Sequence, residues 1–226
     1  VWKVDIISMS FNLHGSTRLV EDAIEHATEK HVLMFAAACN DQHMETESIG
    51  FPARELTSVF CVNSHDGNGK PSEFTPKSFS ERANFTVLGE GLEGPGKSNT
   101  SHFMNGTSCA TPIAAAFAAI VLDFCIQLSS QAKPKVWATS MENVWVNGKN
   151  KLKDSWLMKK VFFLLMVEDP QRGQYNTVKP WELFCLKDAE NAGNKMSKAQ
   201  MQERLTDISK ELVKIMEKRN SQPEVL

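Results

Sequence analysis

The stretch from Gly106 to Leu122 constrains the fold more than any other part of the chain. The heptapeptide Gly106-Thr107-Ser108-Cys109-Ala110-Thr111-Pro112 runs into Ile113-Ala114-Ala115-Ala116-Phe117-Ala118-Ala119-Ile120-Val121-Leu122, which is apolar on nearly every face of a helix. A helix apolar all round must be buried by its neighbours. Its alanines allow those neighbours to come close. Pro112 falls early in this helix, where a missing N–H does little harm, and Gly106 permits unusual backbone angles in the turn that enters it. The bland reading of this segment is an alanine-rich core helix capped by Thr107 or Ser108.

Around that helix the sequence alternates strand and helix. Ile6 to Phe11 reads as a strand, Ser16 can cap a helix, and Leu19, Val20, Ala23, Ile24 and Ala27 recur at helical spacing. Val32 to Cys39 reads as a buried strand, and so does Leu56 to Val62. Such alternation predicts an α/β fold with a parallel sheet covered by helices on both faces. Asp66-Gly67-Asn68-Gly69 reads as a plain turn rather than a calcium loop, because EF-hand ligand spacing is absent. Gly89 to Ser101 reads as a glycine- and serine-rich surface loop.

The heptapeptide also carries chemistry. A serine hydroxyl is a weak nucleophile until a neighbouring base activates it, and it needs an exposed perch such as the first turn of a helix. The pattern G-T-S-x-A-x-P fixes five positions; at about 5–8% per residue type, a chain this long would match by chance roughly a few times in ten thousand. The pattern resembles the nucleophile motif of the subtilisin-like serine peptidases, the subtilases. Two more segments resemble that family in the same order: Ile6-Ile7-Ser8-Met9-Ser10-Phe11, and Val32-Leu33-Met34-Phe35-Ala36-Ala37-Ala38-Cys39-Asn40-Asp41. Phe51-Pro52-Ala53-Arg54, Asn84 to Glu90, and Tyr175 with Lys179-Pro180-Trp181-Glu182-Leu183-Phe184 look like a fungal branch of subtilases.

The resemblance implies that Ser108 is the catalytic nucleophile and that the Asn40 side chain, with the Ser108 backbone N–H, holds the oxyanion. In subtilisin, loss of that asparagine donor slows turnover about 100- to 1000-fold. It further implies that Ser10, Phe11 and Asn12 form one wall of the pocket for the substrate side chain, and Ala37, Ala38 and Cys39 the other. Asn12 and Cys39 stand where most subtilases have glycine, which would narrow that pocket. Ala116 also replaces a usual glycine. The implied partner is a polypeptide substrate. No cofactor or metal is called for by this chemistry; structural calcium is common among subtilases, but no site is assignable here.

Subtilases order their triad Asp, His, Ser along the chain. Both earlier motifs should precede Ile6, so the catalytic Asp and His are expected upstream of Val1, and the chain alone should be inert. His14 follows the first pocket strand and reads as a loop residue; Asp5 heads that strand. The competing reading is a catalytically inactive subtilase-like module that binds peptides or partners.

The implied organisation is 1–128 as the C-terminal part of a subtilase catalytic domain, 129–193 as a family-related closing segment, and 194–226 as a helical tail. In the tail Met201, Leu205, Ile208, Leu212 and Ile215 follow a 4-3-4-3 spacing. That amphipathic helix can lie back on the domain, the preferred reading, or meet a partner helix. Tryptophans 137, 145, 156 and 181 read as packing anchors.

Net charge −2 gives no reason to invoke nucleic acid or a membrane surface. No run reads as a transmembrane helix, and Val161 to Val167 fits a buried strand or helix. The five cysteines, with no CxxC pair, read as buried free thiols in a reducing, cytoplasmic compartment.

Overall fold

The computed structural model describes residues 3–41, 49–55, 57–78, 83–96, 100–130, 145–146, 149–167 and 173–180, with 203, 207–208, 210–211 and 214–215 from the tail. Trp137, Trp181, Cys185, Met201, Leu205 and Leu212 lie outside these residues.

Five strands form one sheet: β1 (Ile6–Met9), β2 (Leu33–Ala37), β3 (Val59–His65), β4 (Asn84–Leu88) and β9 (Tyr175–Thr177). They lie in the order β1-β2-β3-β4-β9, and every pairing is parallel. Leu92–Pro95 (β5) and Ser101–Met104 (β6) pair antiparallel, as do the short Trp145–Val146 (β7) and Lys149–Asn150 (β8). Three long helices accompany them: α1 (Arg18–Glu29), α2 (Thr107–Ser130) and α3 (Ser155–Leu165).

The near-continuous apolar runs of the central strands follow from burial on both faces. Along β2, Leu33 and Phe35 enter one core, with Phe60 and Val62 of β3 and residues of α2 and α3. The alternate residues Met34 and Ala36 enter a second core with Ile24 of α1 and Phe51. The sheet is thus covered on both faces, as the alternation of elements predicts. The first core centres on four rings: Phe35 stacks on Phe60 at 4.3 Å, and Phe162 of α3 meets Phe60 edge-on at 5.4 Å and Phe85 at 5.9 Å.

α2 lies in that core through Ala110, Ala114, Ala118, Val121 and Leu122. By length and composition its span Thr107–Ile126 does match a membrane helix, contrary to the expectation that no run would. The deep burial of those alanines against the sheet is what its apolarity serves here.

Several local expectations need correction. The α1 cap is Thr17, not Ser16, and no side-chain bond caps it. Leu19 is 82% exposed, so the apolar stripe of α1 is narrower than its spacing suggests. The strand expected over Leu56 to Val62 begins at Val59 and runs on to His65. The loop expected over Gly89 to Ser101 contains β5, which pairs with β6 at its end. Of the described cysteines only Cys125 is buried; its thiol is pushed up to about 12 by burial, while Cys39, Cys61 and Cys109 are half-buried.

Other expectations agree. Asp66 Oδ1 accepts from the N–H groups of Asn68 and Lys70, both at 2.9 Å, so its carboxylate serves the turn. Trp156 packs against the first core. Ile208 and Ile215, one heptad apart in the tail, are buried in that same core, so this face of the tail lies on the domain.

Candidate active site

Parallel strands all point their carboxyl ends to one edge of the sheet, where ligands of open α/β folds bind. Three strand exits converge there on the start of α2. From β1, Ser10 Oγ donates to the Ser108 carbonyl at 2.8 Å, and Ser108 Oγ donates back to the Ser10 carbonyl at 3.3 Å. From β4, the Gly89 carbonyl accepts from Gly106 N–H at 2.8 Å. From β2, Asn40 Oδ1 accepts from Thr107 N–H at 2.8 Å and lies 3.0 Å from Thr107 Oγ1, which is also 3.2 Å from the Cys39 carbonyl.

The two Thr107 donors orient the Asn40 amide. The N–H needs an acceptor and so holds Oδ1, while the single hydroxyl proton is shared between Oδ1 and the Cys39 carbonyl; Nδ2 is left as the donor of the amide. Gly106, at φ +151°, gives this arrangement room: a β-carbon there would come within 3.1 Å of Asn40 Nδ2. Ser108 sits in the first turn of α2, where backbone N–H groups lack intrahelical partners. That turn holds no acidic residue, so the positive end of the helix dipole is open to an anion. The Ser108 hydroxyl, the Ser108 backbone N–H and the Asn40 amide thus share one edge.

The remaining candidate residues divide. Ser10, Phe11 and Asn12 are exposed, and Ser10 is the one that bonds Ser108, while the Asn12 amide lies against Gly50. Ala37 and Ala38 are buried at 3% and 0% exposure, so of that trio only Cys39 reaches the surface. Cys39 also takes φ +154°, a conformation suited to glycine. His14 lies in an exposed bend and Asp5 pairs with Lys153. Among the described residues no histidine hydrogen-bonds Ser108. A cavity of about 330 Å³ lies elsewhere, between α1 and the 51–58 segment, lined by Ile24, Phe51 and four glutamates.

Two residues escaped the sequence reading. Thr107 was seen only as a possible cap, although a threonine beside a candidate anion site can orient a neighbour. His65 ends β3, three residues beyond the apolar run that the sequence reading takes as the strand. It is 5% exposed, its Nδ1 donates to the Asp66 carbonyl, and its Nε2 is buried with no partner among the described residues.

The model of the subtilase family, peptidase S8, matches residues 2–160. Subtilisin DY of Bacillus licheniformis is 30% identical over 148 residues, covering 61% of this chain and 50% of that protein. Alkaline elastase YaB of Bacillus sp. (strain YaB) is 30% identical over 116 residues, 51% of this chain and 29% of that protein. Among solved structures, the prenylagaramide maturation protease PagA aligns with a TM-score of 0.57 at 21% identity, over 79% of this chain and 60% of that one. The patellamide maturation protease PatA aligns at 0.53 and 21%, over 75% and 56%. The chain spans half or less of the length of these curated relatives. The family match covers most of the chain and takes in Asn40 and Ser108 with the strands and helix that seat them, so this chain belongs to the subtilase family.

Proposed function

We propose that this chain carries the nucleophile and oxyanion half of a serine endopeptidase. The observation that carries the proposal is the bond from Thr107 N–H to Asn40 Oδ1, which seats Asn40 against the residue next to Ser108 and leaves Nδ2 as the donor of that amide. In this reading Ser108 Oγ attacks the carbonyl carbon of a peptide bond while a histidine takes its proton. The carbonyl oxygen becomes an oxyanion that accepts from Asn40 Nδ2 and the Ser108 backbone N–H. Donors aimed at charge that develops in the transition state lower the barrier without tightening ground-state binding. The C–N bond then breaks, the histidine protonates the departing amine, and an acyl-enzyme on Ser108 remains for water to hydrolyse. The histidine and its aspartate belong to sequence upstream of Ile6 in the family order.

The names of the relatives, proteases throughout, support this reading. A second reading, an inactive peptide-binding module, draws on Cys39, whose side chain occupies a glycine-type backbone beside Asn40. Fluorophosphonate labelling of the longest form that the transcript encodes separates the two. Labelling that disappears in Ser108→Ala supports the peptidase. A folded protein that takes up no label supports the binding module.

A further inference from the structure

We propose that His65 is an acid-sensitive latch on the turn that presents Ser108: neutral, it holds the exits of β3 and β4 under Gly106, and protonated it releases them. Its effect on peptides rests on the reading of Ser108 as the nucleophile; the movement of the turn does not.

Two backbone bonds in series join His65 to the nucleophile turn. The His65 carbonyl accepts from Gly89 N–H at 3.1 Å, and the Gly89 carbonyl accepts from Gly106 N–H at 2.8 Å. Gly106 leads directly into Thr107 and Ser108, and its own carbonyl accepts from Cys109 N–H at 2.9 Å in the first turn of α2. The seat of Gly89 leaves no slack. A β-carbon there would fall 2.4 Å from Ser64 Oγ and 2.8 Å from the Gly106 carbonyl oxygen. Ser64 is wholly buried, its hydroxyl 2.7 Å from that of Ser72 and its N–H bonded to Thr75 Oγ1 at 2.9 Å. A displacement of the β3 exit is therefore passed on to Gly106 rather than absorbed.

The imidazole makes that exit sensitive to protons. Its Nδ1 donates to the Asp66 carbonyl, which fixes Nε2 as the bare nitrogen of the neutral ring. Nε2 is buried with no partner among the described residues. A lone pair is tolerable in such a place; a charged N–H without an acceptor is not. Burial accordingly holds the ring below the ordinary 6.5, outweighing the bond to the Asp66 carbonyl and two carboxylates. One carboxylate is Asp66, in the ring's own turn, which Lys70 closes through its N–H. The other is Glu90, two residues beyond Leu88, the partner of His65 on β4. β2 pairs with β3 as far as Val62 and carries no charged side chain from Leu33 to Asn40. The imidazolium can be satisfied in two ways, by turning out to water or by donating to Glu90. The first draws the His65 carbonyl from Gly89 N–H. The second draws residue 90, and with it the Gly89 carbonyl, from Gly106. Both loosen the same turn.

Two readouts test this on the longest encoded form. In the first, protein labelled with nitrogen-15 at glycine is titrated by NMR from about pH 7.5 to about pH 5, with His65 followed through its ring protons. The Gly89 and Gly106 amide signals should move with the His65 midpoint and should stay still in His65→Gln. In Glu90→Gln both midpoints should fall together to lower pH, because a carboxylate that favours the imidazolium is gone. A Gly106 signal that ignores His65, or that titrates unchanged in His65→Gln, overturns the latch. So do midpoints in Glu90→Gln that part or stay at the wild-type value, which decides the matter if His65→Gln does not fold. In the second readout, peptide hydrolysis at about pH 5 is divided by that at about pH 7.5. The ratio should be about threefold or more higher in His65→Gln than in the wild type, since only the catalytic histidine then titrates. An equal ratio overturns control of the site and leaves the peptidase standing. Glycine signals that follow His65 in a protein with no hydrolysis at any pH uphold the latch and remove the peptidase.

Discussion

At the scale of single residues, the edge of the sheet is organised by Thr107 as much as by Ser108. Its N–H holds Oδ1 of the Asn40 amide, and its hydroxyl lies 3.0 Å from the same oxygen, so Nδ2 is the end left to donate. Thr107→Val keeps the shape and the N–H bond but removes the hydroxyl. Fluorophosphonate labelling rate or peptide turnover should fall about tenfold, about 1.4 kcal/mol of barrier, with little change in unfolding midpoint. Cys39 makes the opposite case, a side chain carried on a backbone that suits glycine. Strain there is worth about 1–3 kcal/mol, against about 0.5–1 kcal/mol for the extra freedom of glycine in the unfolded chain. Cys39→Gly should therefore stabilise the fold by about 1 kcal/mol in a urea titration. Destabilisation would show that the thiol packs usefully.

At the scale of elements, α2 serves twice. Its apolar body fills the main core, and its first turn presents Ser108 to the strand exits. The two roles are coupled because the helix cannot shift along the sheet without moving the site. α3 closes the same core through Phe162, which touches the rings of Phe35, Phe60 and Phe85. Phe162→Ala should lower the unfolding free energy by about 3–5 kcal/mol, read from denaturant midpoints. A loss under about 1 kcal/mol would mean that this helix packs loosely on the sheet. Leu19 of α1 shows how a helical run overstates burial: it stands five residues before Ile24 and so on a different face, and Ile24 is 7% exposed while Leu19 is 82% exposed.

At the scale of the whole molecule, His65 links stability to pH. Burial lowers its pKa below the ordinary 6.5, outweighing the bond to the Asp66 carbonyl and the carboxylates of Asp66 and Glu90, which act the other way. The unfolded chain then binds the proton more readily than the folded one. Its contribution is whole above pH 6.5 and is lost as pH falls below that value toward the lowered folded pKa. Urea midpoints of the wild-type chain should drop between pH 7.5 and 5.5, and His65→Gln should flatten that dependence. An equal slope in the variant would assign the effect to other groups.

Much of this molecule was legible before its fold. The apolar continuity of Ile113 to Leu122 demanded a buried helix, and the alternation of strands and helices demanded a parallel sheet, because hydrophobic burial acts through local periodicity that a sequence displays. The heptapeptide around Ser108 and the strand ending in Asn40 pointed to the same edge of that sheet. Other features depended on residues far apart in the chain. The bond from Thr107 to Asn40, the amide of Asn12 lying on Gly50, the burial of His65 and the docking of Ile208 and Ile215 all join segments that only the folded chain brings together. Local pattern determines which side chains must leave water. Which of them meet, and at what angle, depends on how the sheet and its covering helices pack.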